Sequence, residues 1–182
     1  LGLNGELQMS EAMEDLMLSL NMNRVPSSWA KLAFESMRPL AGWMDNLVMR
    51  IRQLQDWVVD LMLPRVVWIS GFFNPQSFLT AIMQQQARKN EWALDQVVVA
   101  TEVLKKSPEE VEMASKDGNF IFGLSMEGAR WDPAGGSVAT SLPKEMFFEM
   151  PVMLTRAIPI DKAEYKDTFM CPVYKVQTRG HT

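Results

Sequence analysis

Histidine and cysteine are nearly absent. The 182 residues hold one His, one Cys and only two Tyr. A lone Cys171 cannot form an internal disulfide, and it fits a reducing compartment. One His and one Cys cannot assemble a zinc site of the usual kind. His181 reads as a tail residue sooner than a general base, and Cys171 as a small buried hydrophobe sooner than a nucleophile, so nothing obvious activates a nucleophile. Ser10 and Ser70 have no His partner, and His181 lies in the tail. Basic charge is not in excess either: net charge is -4 with a pI near 5.1, which argues against a nucleic-acid partner. No stretch of about 18 uncharged apolar residues occurs, so no helix is expected to span a membrane and no membrane partner is expected. Internal repeats and low-complexity segments are lacking. The start, LGLNGELQ, has no basic leader and no Met, and both ends read as cuts in a larger protein.

A phosphate loop is missing as well. Gly118 and Gly123 stand at the separation of G-x-x-x-x-G-K-[ST], but Leu124 and Ser125 follow where Lys and Ser/Thr belong. The residues between, Asn-Phe-Ile-Phe, read as strand. The acidic groups Glu109/Glu110 and Glu11/Glu14/Asp15 fall in polar loops and first helical turns, where solvation is the default. Catalytic, cofactor and metal residues are therefore expected to be none, and a small hydrolase is disfavoured.

What is abundant is methionine and tryptophan, 15 and 6 residues. Met fills irregular core gaps and suits adaptable contact surfaces. Trp is enriched at contact surfaces as well as in cores. The length suits one domain or two small ones.

The stretch from Trp68 to Lys89 anchors the pattern. An apolar run, Val66 to Ile69, leads to Gly71, Phe72 and Phe73, and then to Asn74-Pro75. Asn74 can cap a helix and Pro75 suits its first position. Phe78, Leu79, Ile82 and Met83 form its core stripe, Arg88 and Lys89 suit its C-terminal end, and Asn90 is the expected stop. Upstream, Ser10 caps a helix with Met13, Leu16, Met17 and Leu20 on one face. A short helix follows around Trp29. In the longest, Leu40, Met44, Leu47, Ile51, Leu54 and Val58 are spaced by four and three, which predicts packing on another helix. Asp45, Arg50, Arg52, Gln53 and Asp56 read as its wet side. After Asn90 the segments 97–103, 119–126, 137–140, 151–158 and 169–176 read as strands, with 142–150 ambiguous. The expected class is α+β. A helical bundle occupies 1–90 and an antiparallel, barrel-like sheet occupies 91–182.

Six aromatics are candidates for a docking surface: Trp68, Phe72, Phe73, Trp131, Phe147 and Phe148. Phe147 and Phe148 are adjacent, so in an extended segment one must face outward. Core packing outranks docking for each alone, yet the set makes some docking surface expected.

These residues also carry a resemblance. W-I-S-G-F-F-N-P-Q-S-F-L-T-A-I-M-Q at 68–84 and A-R-K-N-E-W at 87–92 resemble the C-terminal region of dynein heavy chains, the latter in its axonemal form. G-E-L-Q-M-S at 5–10, V-P-S-S-W-A-K at 25–31, L-A-G-W at 40–43 and R-I-R-Q-L-Q-D-W at 50–57 keep the same order. So do M-E-G-A-R-W-D at 126–132, M-P-V-M at 150–153 and C-P-V-Y-K at 171–175. The resemblance covers essentially the full length and is most like the outer-arm beta type. It implies a non-catalytic region lying against one face of an AAA+ motor ring, as a helical subdomain followed by a β-barrel, and tuning ATP-driven microtubule motility. Its partners would be the ring modules of the same heavy chain, with microtubules engaged only through the parent motor. ATP and magnesium would belong to the parent ring. The implied location is cytoplasm, cytoskeleton and the axoneme of cilia and flagella. Family members usually continue beyond R-G-x-T with another apolar strand, so a barrel truncated at Thr182 is expected to lack its last strand. The alternative reading from the residues is a stand-alone helical/β adaptor that binds a peptide or protein through a Trp/Met-rich surface.

Overall fold

A computed structural model describes residues 1–34 and 36–164. The strand expected at 169–176, Cys171 and His181 lie outside the described residues.

Four α-helices come first. α1 spans Glu11–Asn21, α2 Ser27–Ala30, α3 Leu40–Asp60 and α4 Pro75–Asn90. The Ser10 hydroxyl caps α1 by accepting from the Met13 N–H, with Glu11 and Glu14 in its first turn. Pro39 opens α3, and Leu61 ends it in the left-handed conformation. The Asn74 amide oxygen caps α4 by accepting from the Ser77 N–H at 3.2 Å. Pro75 takes the first helical position, and Arg88 and Lys89 fill the last turn.

The strands are β1 (Val66–Trp68), β2 (Val97–Val103), β3 (Asn119–Phe122), β4 (Ser125–Glu127), β5 (Ala129–Asp132), β6 (Ser137–Thr140), β7 (Phe147–Glu149) and β8 (Met153–Pro159). The main sheet has the order β1-β3-β8-β2, while β4 pairs with β7 and β5 with β6. The fold is therefore α+β. Among the described residues these sheets do not close into a barrel. Nor is the main sheet purely antiparallel as expected, because β1 runs parallel to β3, with Val67 opposite Ile121. A parallel pair needs a long crossover, and α4 and β2 supply it. The first strand thus comes from within residues 1–90.

The core lies between α4 and the main sheet. Val67, Ile69, Ile121 and Met153 form one buried cluster, with Phe72, Phe78 and Leu79 packed on it. Ala87, Val97 and Ala157 form a second, beside Met83 and Trp92. Along β8 the alternation puts Met153, Thr155 and Ala157 inside. α3 packs on its inner side only in part against helices. Its inner face meets the turn after β1 and, through Trp57, the rings of Phe72 and Phe78 at 5.9 and 6.0 Å. Phe78 belongs to α4, and Trp29 of α2 stacks on Trp43 at 6.2 Å, so α3 meets other helices as expected, but it also packs on the turn after β1.

Candidate docking surface

Trp68, Phe72 and Phe73 leave the end of β1 and surround one cation, Arg50 of α3. Arg50 is only 8% exposed. Its Cζ lies 3.8 Å from the Phe34 ring centre, 5.5 Å from Trp68 and 6.0 Å from Phe73. Nε donates to Asn46 Oδ1 at 2.8 Å, and Nη1 donates to the Phe72 carbonyl at 3.0 Å. Burial lowers its pKa from the ordinary arginine value, which starts so high that the guanidinium stays cationic at neutral pH. A desolvated guanidinium among aromatic faces gains cation–π attraction, so charge and burial are compatible here.

Gln53, one turn further along α3, grips the same strand. Its Nε2 donates to the Trp68 carbonyl at 3.1 Å, and its Oε1 accepts from the Trp68 N–H at 3.0 Å. Residue type assigns Arg50 and Gln53 to the wet side of α3; the structure turns both to the inner face. Trp43, Arg50 and Trp57 stand seven apart and share that face, a spacing visible in the sequence but masked by the charge of Arg50.

The six aromatics fall into two groups. Trp68 is half-buried, and its ring occupies the space where a side chain on Gly71 or Gly123 would lie. Phe72 is half-buried, its ring tilted against that of Phe78 with centres 5.0 Å apart. Phe73 is 52% exposed at the lip of the cluster, edge-on to Phe34. The second group sits on the two hairpin-like pairs. Phe147 is exposed and Phe148 half-buried, with Arg130 Cζ 5.1 Å from the Phe148 ring centre. One of the adjacent pair does face outward. Trp131 is half-buried in β5, and its indole N–H has no hydrogen-bond partner among the described residues.

Further exposed apolar groups lie outside those six. Met44, Val48, Ile51 and Val58 form an outer stripe on α3, with Leu61 and Met62 beyond its end. Half of the stripe expected to pack on another helix, Met44, Ile51 and Val58, belongs to this outer face, while Leu47 and Leu54 are half-buried. The four-three spacing was the signal for this stripe, but it does not say which partner the stripe meets. The segment with phosphate-loop spacing is strand β3 and its exit. Among the described residues no three His, Cys, Asp or Glu side chains gather to hold a metal, and no helix is long and apolar enough to cross a membrane. The arrangement offers apolar contact area rather than reacting groups.

Comparison with known proteins gives the family to which the chain is similar. Residues 1–182 match the family model of the C-terminal domain of dynein heavy chains. The chain is 54% identical over 179 residues to the dynein beta chain of the flagellar outer arm from Chlamydomonas reinhardtii, which takes in 98% of this chain and 4% of that protein. It is 48% identical over 182 residues to human dynein axonemal heavy chain 17, over 100% of this chain and 4% of that one. Identity to the ciliary dynein beta chain of Heliocidaris crassispina is 47% over 182 residues, again all of this chain and 4% of the relative. The chain spans about 4% of the length of these relatives.

Proposed function

Because this chain belongs to the family of C-terminal domains of dynein heavy chains, we propose that it packs on the AAA+ motor ring of its own heavy chain and regulates ATP-driven microtubule motility. The observation that carries the reading is apolar surface left over. Phe73 and Phe147 stand out from the two aromatic groups, and the outer stripe of α3 adds aliphatic area. Contiguous exposed apolar surface marks a contact site. Relatives that span about 25 times the length of this chain supply ample protein to cover it.

The domain's own role is non-catalytic. ATP and magnesium belong to the ring modules, and microtubules are reached only through the parent motor. The named relatives are flagellar, axonemal and ciliary chains, so the cytoskeleton of the axoneme is the assigned location. The barrel implied by the resemblance remains part of this proposal. The β4–β7 and β5–β6 pairs beside the main sheet are the elements that would contribute to its wall.

The test compares the intact heavy chain with one ending just before Leu1. The shortened motor is expected to keep ATP turnover while its microtubule gliding velocity or stall force changes. Identical motility from both would overturn the regulatory role. Loss of turnover from a shortened motor that remains folded would overturn the non-catalytic one.

A further inference from the structure

α3 carries two apolar stripes, and among the described residues the rest of the chain packs against only one of them. The inner face presents Arg50, Gln53 and Trp57 to β1 and its exit, and Trp43 to the rings of Trp29 and Phe34. The outer face presents Met44, Val48, Ile51, Gln55 and Val58, all exposed. Their steps are four, three, four and three, the spacing of a seam that receives another helix. A helix with a second apolar stripe beside the one its own domain covers has room for a further layer. The seam runs about 21 Å at 1.5 Å per residue, enough for about four turns of a partner.

We propose that the outer face of α3 is the seat of an amphipathic helix from the part of the same heavy chain that precedes Leu1. This rests on the ring-packing reading above and deepens it. The chain spans about 4% of its relatives and belongs to a C-terminal domain family, so most of a full heavy chain would lie before it and could supply the helix. The seam also fixes the chemistry of that helix. Gln55 interrupts an otherwise aliphatic row, and a buried amide must find hydrogen bonds. The partner therefore has a polar side chain opposite Gln55 and aliphatic side chains elsewhere. Asp45 and Arg52 flank the seam on one side, both exposed and neither in an ion pair among the described residues. The helix brings a cation toward Asp45 and a carboxylate toward Arg52, which sets its direction.

The test uses the intact heavy chain with Ile51→Cys or Val58→Cys, and with Phe147→Cys and Ser137→Cys as references. Maleimide labelling is read peptide by peptide in the mass spectrometer. Labelling at positions 51 and 58 is expected to be slower than at Ser137 by about tenfold or more, because a covered thiol reacts only during local opening. Carbodiimide is expected to join Asp45 to a lysine upstream of Leu1, within one copy when isotopically light and heavy preparations are mixed. Fast labelling on α3 with slow labelling at Phe147 would overturn the inference and leave ring packing standing. Fast labelling at all positions would sink both. Cross-links between light and heavy copies, or from Asp45 to residues 165–182, would name a different occupant and overturn it.

Discussion

Arg50 ties three pieces of the fold together: α3, the Phe34 segment and the Phe72–Phe73 exit. Arg50→Ala leaves the Phe72 carbonyl without its donor and opens a gap among the rings. It should cost about 2–4 kcal/mol in urea denaturation. Arg50→Lys should recover little of this, since an ammonium lacks the planar fork that spans Asn46 and Phe72. Gly123 has φ +87° and stands against the Trp68 ring. Gly123→Ala combines backbone strain with displacement of that ring and should cost about 2–4 kcal/mol by the same assay. Gly128, with φ +69° and open space around it, serves as the control. Its alanine variant should show only the strain, about 1–2 kcal/mol. Asp117 is held below the ordinary aspartate range by the hydrogen bond and charge of Lys89, 2.9 Å away. Its folded pKa is depressed, so its contribution is fully present above the unfolded value. That contribution is lost as pH falls through the lower folded value. A carboxyl-carbon NMR titration should show the depression, and Lys89→Met should move Asp117 back up. Residue type is what misleads a sequence reading at this scale. Arg50 and Gln53 look like solvent residues by composition, and only their seven- and four-residue spacing from Trp43 and Trp57 hints otherwise.

Helix starts are legible because their chemistry is local. Ser10 and Asn74 supply oxygens to N–H groups three residues on, and both helices begin there. Asn74→Ala should lower stability by about 1 kcal/mol, read as a lower melting temperature with an unchanged folded spectrum. β2, β6 and β8 are also visible, since β-branched runs between turn residues need no distant information. Partnerships are not. A four-three repeat says that a helix has an apolar stripe, but α3 has two overlapping ones. Which stripe is covered within this domain depends on where β1 lands. The parallel register of Val67 with Ile121 links residues more than fifty apart, and no periodicity within either segment encodes it. Phe147 and Phe148 lie at the other extreme, because pleating alone requires one of them to point outward.

At the scale of the whole molecule, the signal that located this chain was an ordered set of Trp, Pro and Gly positions over the full length. An antibody raised against it should detect, in denatured axonemes, a band far above 20.7 kDa. A discrete band near 20.7 kDa would favour a free-standing adaptor instead. Such an adaptor would leave the outer face of α3 wet, at a cost the longer protein avoids. The amide of Gln53 has a further consequence. By taking both backbone groups of Trp68, it acts as a one-residue surrogate strand on the outer side of β1. Unblocked sheet rims recruit strands from neighbouring molecules, and a filament needs two such rims on every copy. With the β1 rim capped at Trp68, two copies can pair β2 against β2, and among the described strands such a pair turns only capped β1 rims outward.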